Sequence, residues 1–283
     1  MPPIGEIDHL LTYVDDLDAA AALFRRMGFT LSPVSRIDAM GISNHLVLMR
    51  PLTAGFANFI ELMAAHDRSK LPPPMAAVLS GQPRIKSMVL GTNDAARAHA
   101  AVVAEGFEAA APVHVRREWV IGPGQSVFPE FDVTLPLDNP LVFNCCRYFD
   151  VDLYLRDEWL AHPNGAQCLR SVFAVSADPD QLSKRFGRLF GDVPKPFAGG
   201  LRTSPGWVQL EIMLPDVAAD RFGIEVEADD GRARYLGYGI EVSGLARLMA
   251  CLDEGGVVYR RSGAAVYVDP AVGFGNMIVF TAV

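Results

Sequence analysis

Two residues have the most chemistry to offer here, and both sit inside apolar runs. His9 lies in Ile7-Asp8-His9-Leu10-Leu11-Thr12-Tyr13-Val14, and Glu61 lies in Asn58-Phe59-Ile60-Glu61-Leu62. Burying either is costly unless something pairs with it. An imidazole and a carboxylate on neighbouring strands can share a divalent metal. They can also work as an acid–base pair, or be no more than a hydrogen-bonded pair on a cleft wall. Other chemistries leave no trace. Gly122-Pro123-Gly124 lacks the lysine and helix of a phosphate loop, and Gly273-Phe274-Gly275-Asn276 reads as a turn before the last strand. No Gly-x-Ser-x-Gly nucleophile elbow is present. The 4 cysteines make neither a disulfide framework nor a zinc ribbon, and the adjacent Cys145 and Cys146 read as buried strand thiols.

The elements that must position these residues repeat a theme four times. Each unit opens with an apolar strand, passes through a helix stopped by glycine, and continues into strands. In unit one the helix is capped by Asp15 or Asp16, carries Leu17, Ala20, Ala21, Phe24 and Met27 on one stripe, and stops at Gly28. Unit two opens at Ile85, with Thr92 or Asn93 as cap and Gly106 as stop. Unit three opens at Leu169, with Asp178 as cap and Gly191 as stop. Unit four opens at Tyr235, with its helix starting near Ser243 and stopping at Gly255-Gly256. Residues 214–222 read as an extra short helix in unit three. Linkers fall at Leu71-Pro72-Pro73-Pro74 and around His162-Pro163-Asn164-Gly165. The expected fold is α+β, with four βαβββ modules in two pairs, over residues 4–150 and 165–283.

Composition narrows the partners. The chain has 283 residues, 50% hydrophobic and 20% charged, which is ample for a globular core. Its net charge of −8 offers nothing to nucleic acid phosphates or to an anionic membrane surface. The N-terminus has no basic and apolar leader, and no apolar run approaches a membrane span. A cytoplasmic protein with a small-molecule partner, either a monomer or a homodimer, is the expectation.

The four-unit pattern resembles the vicinal oxygen chelate superfamily, which includes glyoxalase I, bleomycin-resistance proteins and extradiol dioxygenases. Unit one is similar to the glyoxalase-like domain at Ile7-Asp8-His9-Leu10, Asp16-Leu17-Asp18, Gly28-Phe29, Gly41-Ile42-Ser43-Asn44 and Ile60-Glu61-Leu62. The resemblance implies that paired modules curl their sheets around a cleft. It also implies that first-strand and last-strand positions hold one divalent ion, whether Zn, Mn, Fe, Ni or Mg. On that implication His9 and Glu61 are metal ligands, and His45 and Tyr148 are candidates for the third. Glu61 and Tyr148 are the catalytic candidates, and Asn44 and Tyr13 the substrate-binding ones. Tyr148 stands where relatives often have a histidine. The first-strand positions of the other units are Ser87, Ser171 and Gly237; Glu211 and Val279 stand at the last-strand positions of units three and four. The second pair is therefore expected to bind no metal, unlike the extradiol pattern. The implied function is a metal-dependent lyase, isomerase or dioxygenase. The alternative is a metal-free binding or resistance protein of the bleomycin-resistance type. His66, His99, His114 and His162 read as surface or loop residues.

Overall fold

Strand, helix, then three strands: the chain runs through this order four times in the computed structural model, which describes residues 2–226 and 232–283. The first module is β1 (Glu6–Tyr13), α1 (Leu17–Arg26), β2 (Ser35–Ile37), β3 (Ile42–Leu48) and β4 (Phe59–Ala65). A short helix, α2 (Pro73–Val78), links it to the second module. That module is β5 (Arg84–Gly91), α3 (Ala95–Ala104), β6 (Val113–Arg116), a hairpin of β7 (Trp119–Gly122) and β8 (Gln125–Val127), then β9 (Glu130–Val133) and β10 (Phe143–Tyr148). After α4 (Asp157–Leu160) the third module brings β11 (Ala166–Val175), α5 (Pro179–Phe190), β12 (Lys195–Phe197), β13 (Gly200–Thr203) and β14 (Gln209–Met213). An extra helix, α6 (Pro215–Phe222), precedes the fourth module: β15 (Arg234–Val242), α7 (Leu245–Glu254), β16 (Arg260–Ser262), β17 (Ala265–Val268) and β18 (Met277–Ala282).

Local chemistry explains the module helices. Asp16, Asp94 and Asp178 each accept a backbone N–H from three residues on, closing the first turn. The second helix is thus capped at Asp94, one residue later than the Thr92/Asn93 expectation. Thr92 instead hydrogen-bonds the Asp94 backbone. The fourth helix starts at Gly244 with no side-chain cap. All four helices give way to a left-handed glycine, at Gly28, Gly106, Gly191 and Gly256.

Each pair of modules forms one curled, eight-stranded sheet. In the first, the order is β2-β3-β4-β1-β5-β10-β9-β6, with β1 and β5 antiparallel at the centre and β4 and β10 parallel to them on either side. The second repeats this as β12-β13-β14-β11-β15-β18-β17-β16. The helix-bearing faces of both sheets share one large apolar core that includes Phe24, Phe29, Phe107, Phe143, Phe186 and Phe280. The opposite, concave faces are where a site can form.

The halves are joined by buried polar staples. Asn58 both donates to and accepts from the Leu169 backbone, and Glu6 accepts the N–H groups of Trp207 and Val208. His162 is one of these staples, not a surface residue. It is only 4% exposed, its Nδ1 accepts the Thr30 N–H at 3.0 Å, and its Nε2–H donates to the Leu48 carbonyl at 2.8 Å. Burial lowers its pKa below the usual 6.5, and the Leu48 bond only partly opposes this. Protonation would put an N–H against the Thr30 N–H. The unfolded chain therefore takes up this proton first, so stability is whole above about pH 6.5 and falls as pH drops toward the folded value. His45, also depressed by burial, acts in the same direction. We expect the urea midpoint to fall between about pH 7 and 5.5, with a smaller fall in H162N. Equal slopes in the two proteins would show that His162 is not the titrating staple.

Candidate active site in the first cleft

Alternation along β1 would put Asp8 and His9 on opposite faces. A β-bulge prevents this. Ile7 is opposite Leu90 and His9 is opposite Val89, so Asp8 is an extra residue with no partner on β5. Its carboxylate turns to the imidazole, and Asp8 Oδ1 lies 2.7 Å from His9 Nδ1. A carboxylate can only accept, so Nδ1 carries the proton and Nε2 is the free nitrogen. Asp8 is fully buried and accepts two further bonds, from the Ala57 N–H and from the Tyr148 hydroxyl at 3.3 Å. Phe59, the cross-strand partner of His9 on β4, stacks on the imidazole at 4.0 Å between centroids. The ring is thus held at one nitrogen and one face.

Glu61 completes the group. Its Oε2 is 3.8 Å from His9 Nε2, and its Oε1 accepts from Asn44 Nδ2 at 2.5 Å. Asn44 Oδ1 is buried with no partner, an acceptor left for a ligand's donor. The register identifies the counterparts in module two. His9 faces Val89 and Leu11 faces Ser87, so the central strand pair is symmetric and Ser87 matches His9. Leu11 pairs with Glu61 and Val89 pairs with Asn144, so Asn144 matches Glu61. The last-strand position of module two is therefore Asn144, and Tyr148 lies further along the same strand. Ser87 Oγ donates to Asn144 Oδ1 at 2.7 Å, and Asn144 Nδ2 has no partner among the described residues.

This donor set does not complete the metal site that the resemblance implies. Of the four positions only His9 and Glu61 carry metal-ligating groups, and Ser87 and Asn144 are neutral and bonded to each other. Among the described residues no three His, Cys, Asp or Glu side chains gather to hold an ion, whereas a catalytic metal normally takes three protein ligands. His45, one candidate third, is on the wrong face of β3. Asn44 and Leu46 line the cleft, while the His45 Nδ1–H donates to the Ser32 carbonyl at 2.8 Å on the helix side.

The cleft itself encloses about 150 Å³, the size of cavity that takes one benzene ring. His9, Asn44, Glu61, Asn144 and Tyr148 all line it. Most of the rest of the wall is apolar, including Leu11, Ile42, Met63, Val89 and Phe131. Burial, reinforced by the Asp8 charge, pushes the Tyr148 phenol well above its usual pKa, so it remains a donor. Burial does the same to the neighbouring Cys146 thiol, which is therefore no nucleophile. Tyr13 does not join the cleft. Its ring packs beyond Leu11 against Met75 and Leu79, and its hydroxyl donates to Asp15 and accepts from Arg68.

Among the described residues the second sheet has no comparable apolar cleft; around Ser171 and Glu211 it carries instead an open, charged depression lined also by Arg170, Lys195 and Arg202. Its matching positions are Ser171, Glu211, Gly237 and Val279. The same bulge recurs before each first-strand position, at Lys86, Arg170 and Leu236, but none of these can hold an imidazole as Asp8 does. Helix α6 lies on the concave face. Phe222 packs on Phe173 at 5.0 Å, and Arg221 pairs with Glu211 at 2.6 Å.

A glyoxalase-like domain family model matches residues 7–190. The fold is shared with a hypothetical protein from Staphylococcus aureus, 12% identical, covering 98% of each chain at a TM-score of 0.68. It is shared also with a triple mutant of 4-hydroxymandelate synthase from Streptomyces coelicolor, 15% identical, covering 100% of this chain and 93% of that one at 0.62. A fusion of a xylose isomerase-like TIM barrel with 4-hydroxyphenylpyruvate dioxygenase matches over 100% of this chain and 50% of its own, at 13% identity and 0.59. No curated protein matches in sequence. At these identities the structural likeness speaks for the fold.

Proposed function

Because the chain belongs to the glyoxalase-like domain family, we propose that it is a small-molecule enzyme whose first cleft removes a proton from a carbon beside a carbonyl group. The observation that carries this reading is the Asp8–His9 dyad, with its free Nε2 in a largely apolar cleft next to Glu61. Nε2 takes the proton, and the C–H electron pair passes into the carbonyl as an enolate. The imidazolium so formed lies between two carboxylates, Asp8 at 2.7 Å from Nδ1 and Glu61 at 3.8 Å from Nε2. The enolate oxygen receives a hydrogen bond from Asn144 Nδ2, the unpartnered donor across the cleft. Such a donor contributes about 2.7–4 kcal/mol to an oxyanion-like transition state. Tyr148 holds Asp8, and through it the imidazole. Returning the proton from Nε2 to a neighbouring carbon gives an isomerase, protonation of the same carbon on its opposite face by water gives an epimerase, and expelling a leaving group gives a lyase.

The second reading is a metal-free binding protein, favoured by the exchange of two ligand positions for Ser87 and Asn144. One experiment separates the two. Small ketones, esters and keto acids are incubated with the protein in D₂O, and their α-protons are followed by NMR. Protein-dependent loss of an α-proton signal is expected, at a rate indifferent to chelator or to added Zn²⁺, Mn²⁺ or Fe²⁺. Saturable binding without exchange across the whole series would leave the binding reading in place of the enzyme. Exchange that required an added ion would overturn the metal-independent mechanism.

A further inference from the structure

We infer that Arg117 is the specificity residue of the first cleft, and that the ligand it selects is a one-ring or comparably small apolar acid, bound by its carboxylate. The inference rests on the reading of this cleft as a ligand site. Arg117 is the sole lysine or arginine among the described residues lining the cleft, which is otherwise dominated by groups such as Leu11, Met40, Met63, Phe131 and Leu135. It follows β6 in the loop before the β7–β8 hairpin.

Its neighbours are paired and it is not. Arg116 meets Glu130, Arg147 meets Asp132, and His114 contacts both carboxylates. Arg117 has no carboxylate within ion-pair reach among the described residues. Its Nη1 donates to the Ser35 hydroxyl at 2.5 Å, its guanidinium lies 5.8 Å from the Trp119 ring centroid, and its Nε is buried with no partner. A half-buried guanidinium that keeps a neutral partner and an orphaned N–H is under-satisfied. The Nη2 group has no protein partner among the described residues and is not buried as Nε is, so an anion in the cleft can bond it, and the two terminal nitrogens suit a carboxylate's two oxygens.

The charge pattern of the wall agrees. The acidic group, Glu61, is already engaged by Asn44 and faces His9, so a ligand's carboxylate is repelled from that end and drawn to Arg117. The ligand then lies with its acid at Arg117 and its reacting carbon at His9, and its apolar body fills the space between. The enclosed volume of about 150 Å³ limits that body to roughly one ring.

The test is isothermal titration of the full chain with phenylacetate against phenylacetamide, and benzoate against benzamide. The wild type should bind an acid roughly 10- to 100-fold more tightly than its amide, the range expected of a charge-assisted hydrogen bond. R117Q should lose that preference by weakening the acid and leaving the amide unchanged. R117K, which keeps the charge, should retain most of it. Equal binding of acid and amide by the wild type, a preference unaltered in R117Q, or no binding of any acid overturns the assignment. H9A separates this from the proton-abstraction reading, since it should lose exchange but keep the acid preference. Absence of exchange with an intact, Arg117-dependent preference would sink the earlier reading alone.

Discussion

Replacing His9 with alanine should slow α-proton exchange by about 10²- to 10⁴-fold, the usual contribution of a positioned general base. Its effect on ligand affinity should be far smaller, because the apolar wall and Arg117 remain. The more discriminating variant is Asp8→Asn. The Ala57 N–H fixes one oxygen at position 8, so the new amide group would face His9 Nδ1. Two donors cannot share that contact, and the imidazole must move its proton to Nε2. The base is then blocked although the ring is still present. Exchange in D8N should therefore fall nearly as far as in H9A. The ¹⁵N shifts of His9 should report the Nδ1–H tautomer in the wild type and the Nε2–H tautomer in D8N. A D8N protein with unchanged exchange would show that Asp8 only supports the strand, and the dyad would cease to be the basis for the mechanism.

What was legible in the sequence was whatever follows from periodicity and punctuation. Strands with His9 and Glu61, helices stopped by glycine, and the repeated module all follow from local signals; that those two residues meet was what the resemblance implied. What was not legible depended on breaks in periodicity. Asp8 reads as facing away from His9, and only the bulge brings it round. The signal was present as two adjacent ionisable residues in one apolar strand, which strict alternation cannot satisfy on a single face. The last-strand residue of module two, Asn144, needs a register that no local pattern supplies. His45 sat on a strand apolar on both faces, so alternation could not choose its side. Tyr13 shares the phase of His9, but α2 packs over that end of the strand. His162 does open a turn, but its burial was not legible because its partners, Thr30 and Leu48, are remote in sequence.

Gly237→Ala should be among the most destabilising single substitutions in the chain, costing at least about 3 kcal/mol by overpacking. The added Cβ would stand 1.9 Å from the Met277 carbonyl oxygen and 2.7 Å from its carbon and nitrogen. These are backbone atoms of the parallel partner strand, so no rotamer change relieves the clash, and β15 and β18 must separate. Urea denaturation would measure the loss, and a low soluble yield is an acceptable sign of it. Gly244→Ser is the control. That residue is extended, with nothing within 4 Å of its added Cβ, and serine is a helix cap there, so stability should hold or rise slightly. A G237A protein as stable as the control would mean that the two strands are not packed this closely. The position gives the result its functional meaning, because Gly237 is the fourth module's counterpart of His9. A strand so tightly apposed there admits no imidazole or any other side chain. Across the same sheet Glu211 is spent on Arg221, and Phe222 fills the concave face beside Phe173. On the concave face of the second sheet, α6 thus occupies the Phe173 and Glu211 positions. Loss of stability there should reach the first cleft through the shared core and the bonds between the halves, such as those at Glu6 and Asn58 and the Asn276 side chain that accepts the Ile85 N–H of β5.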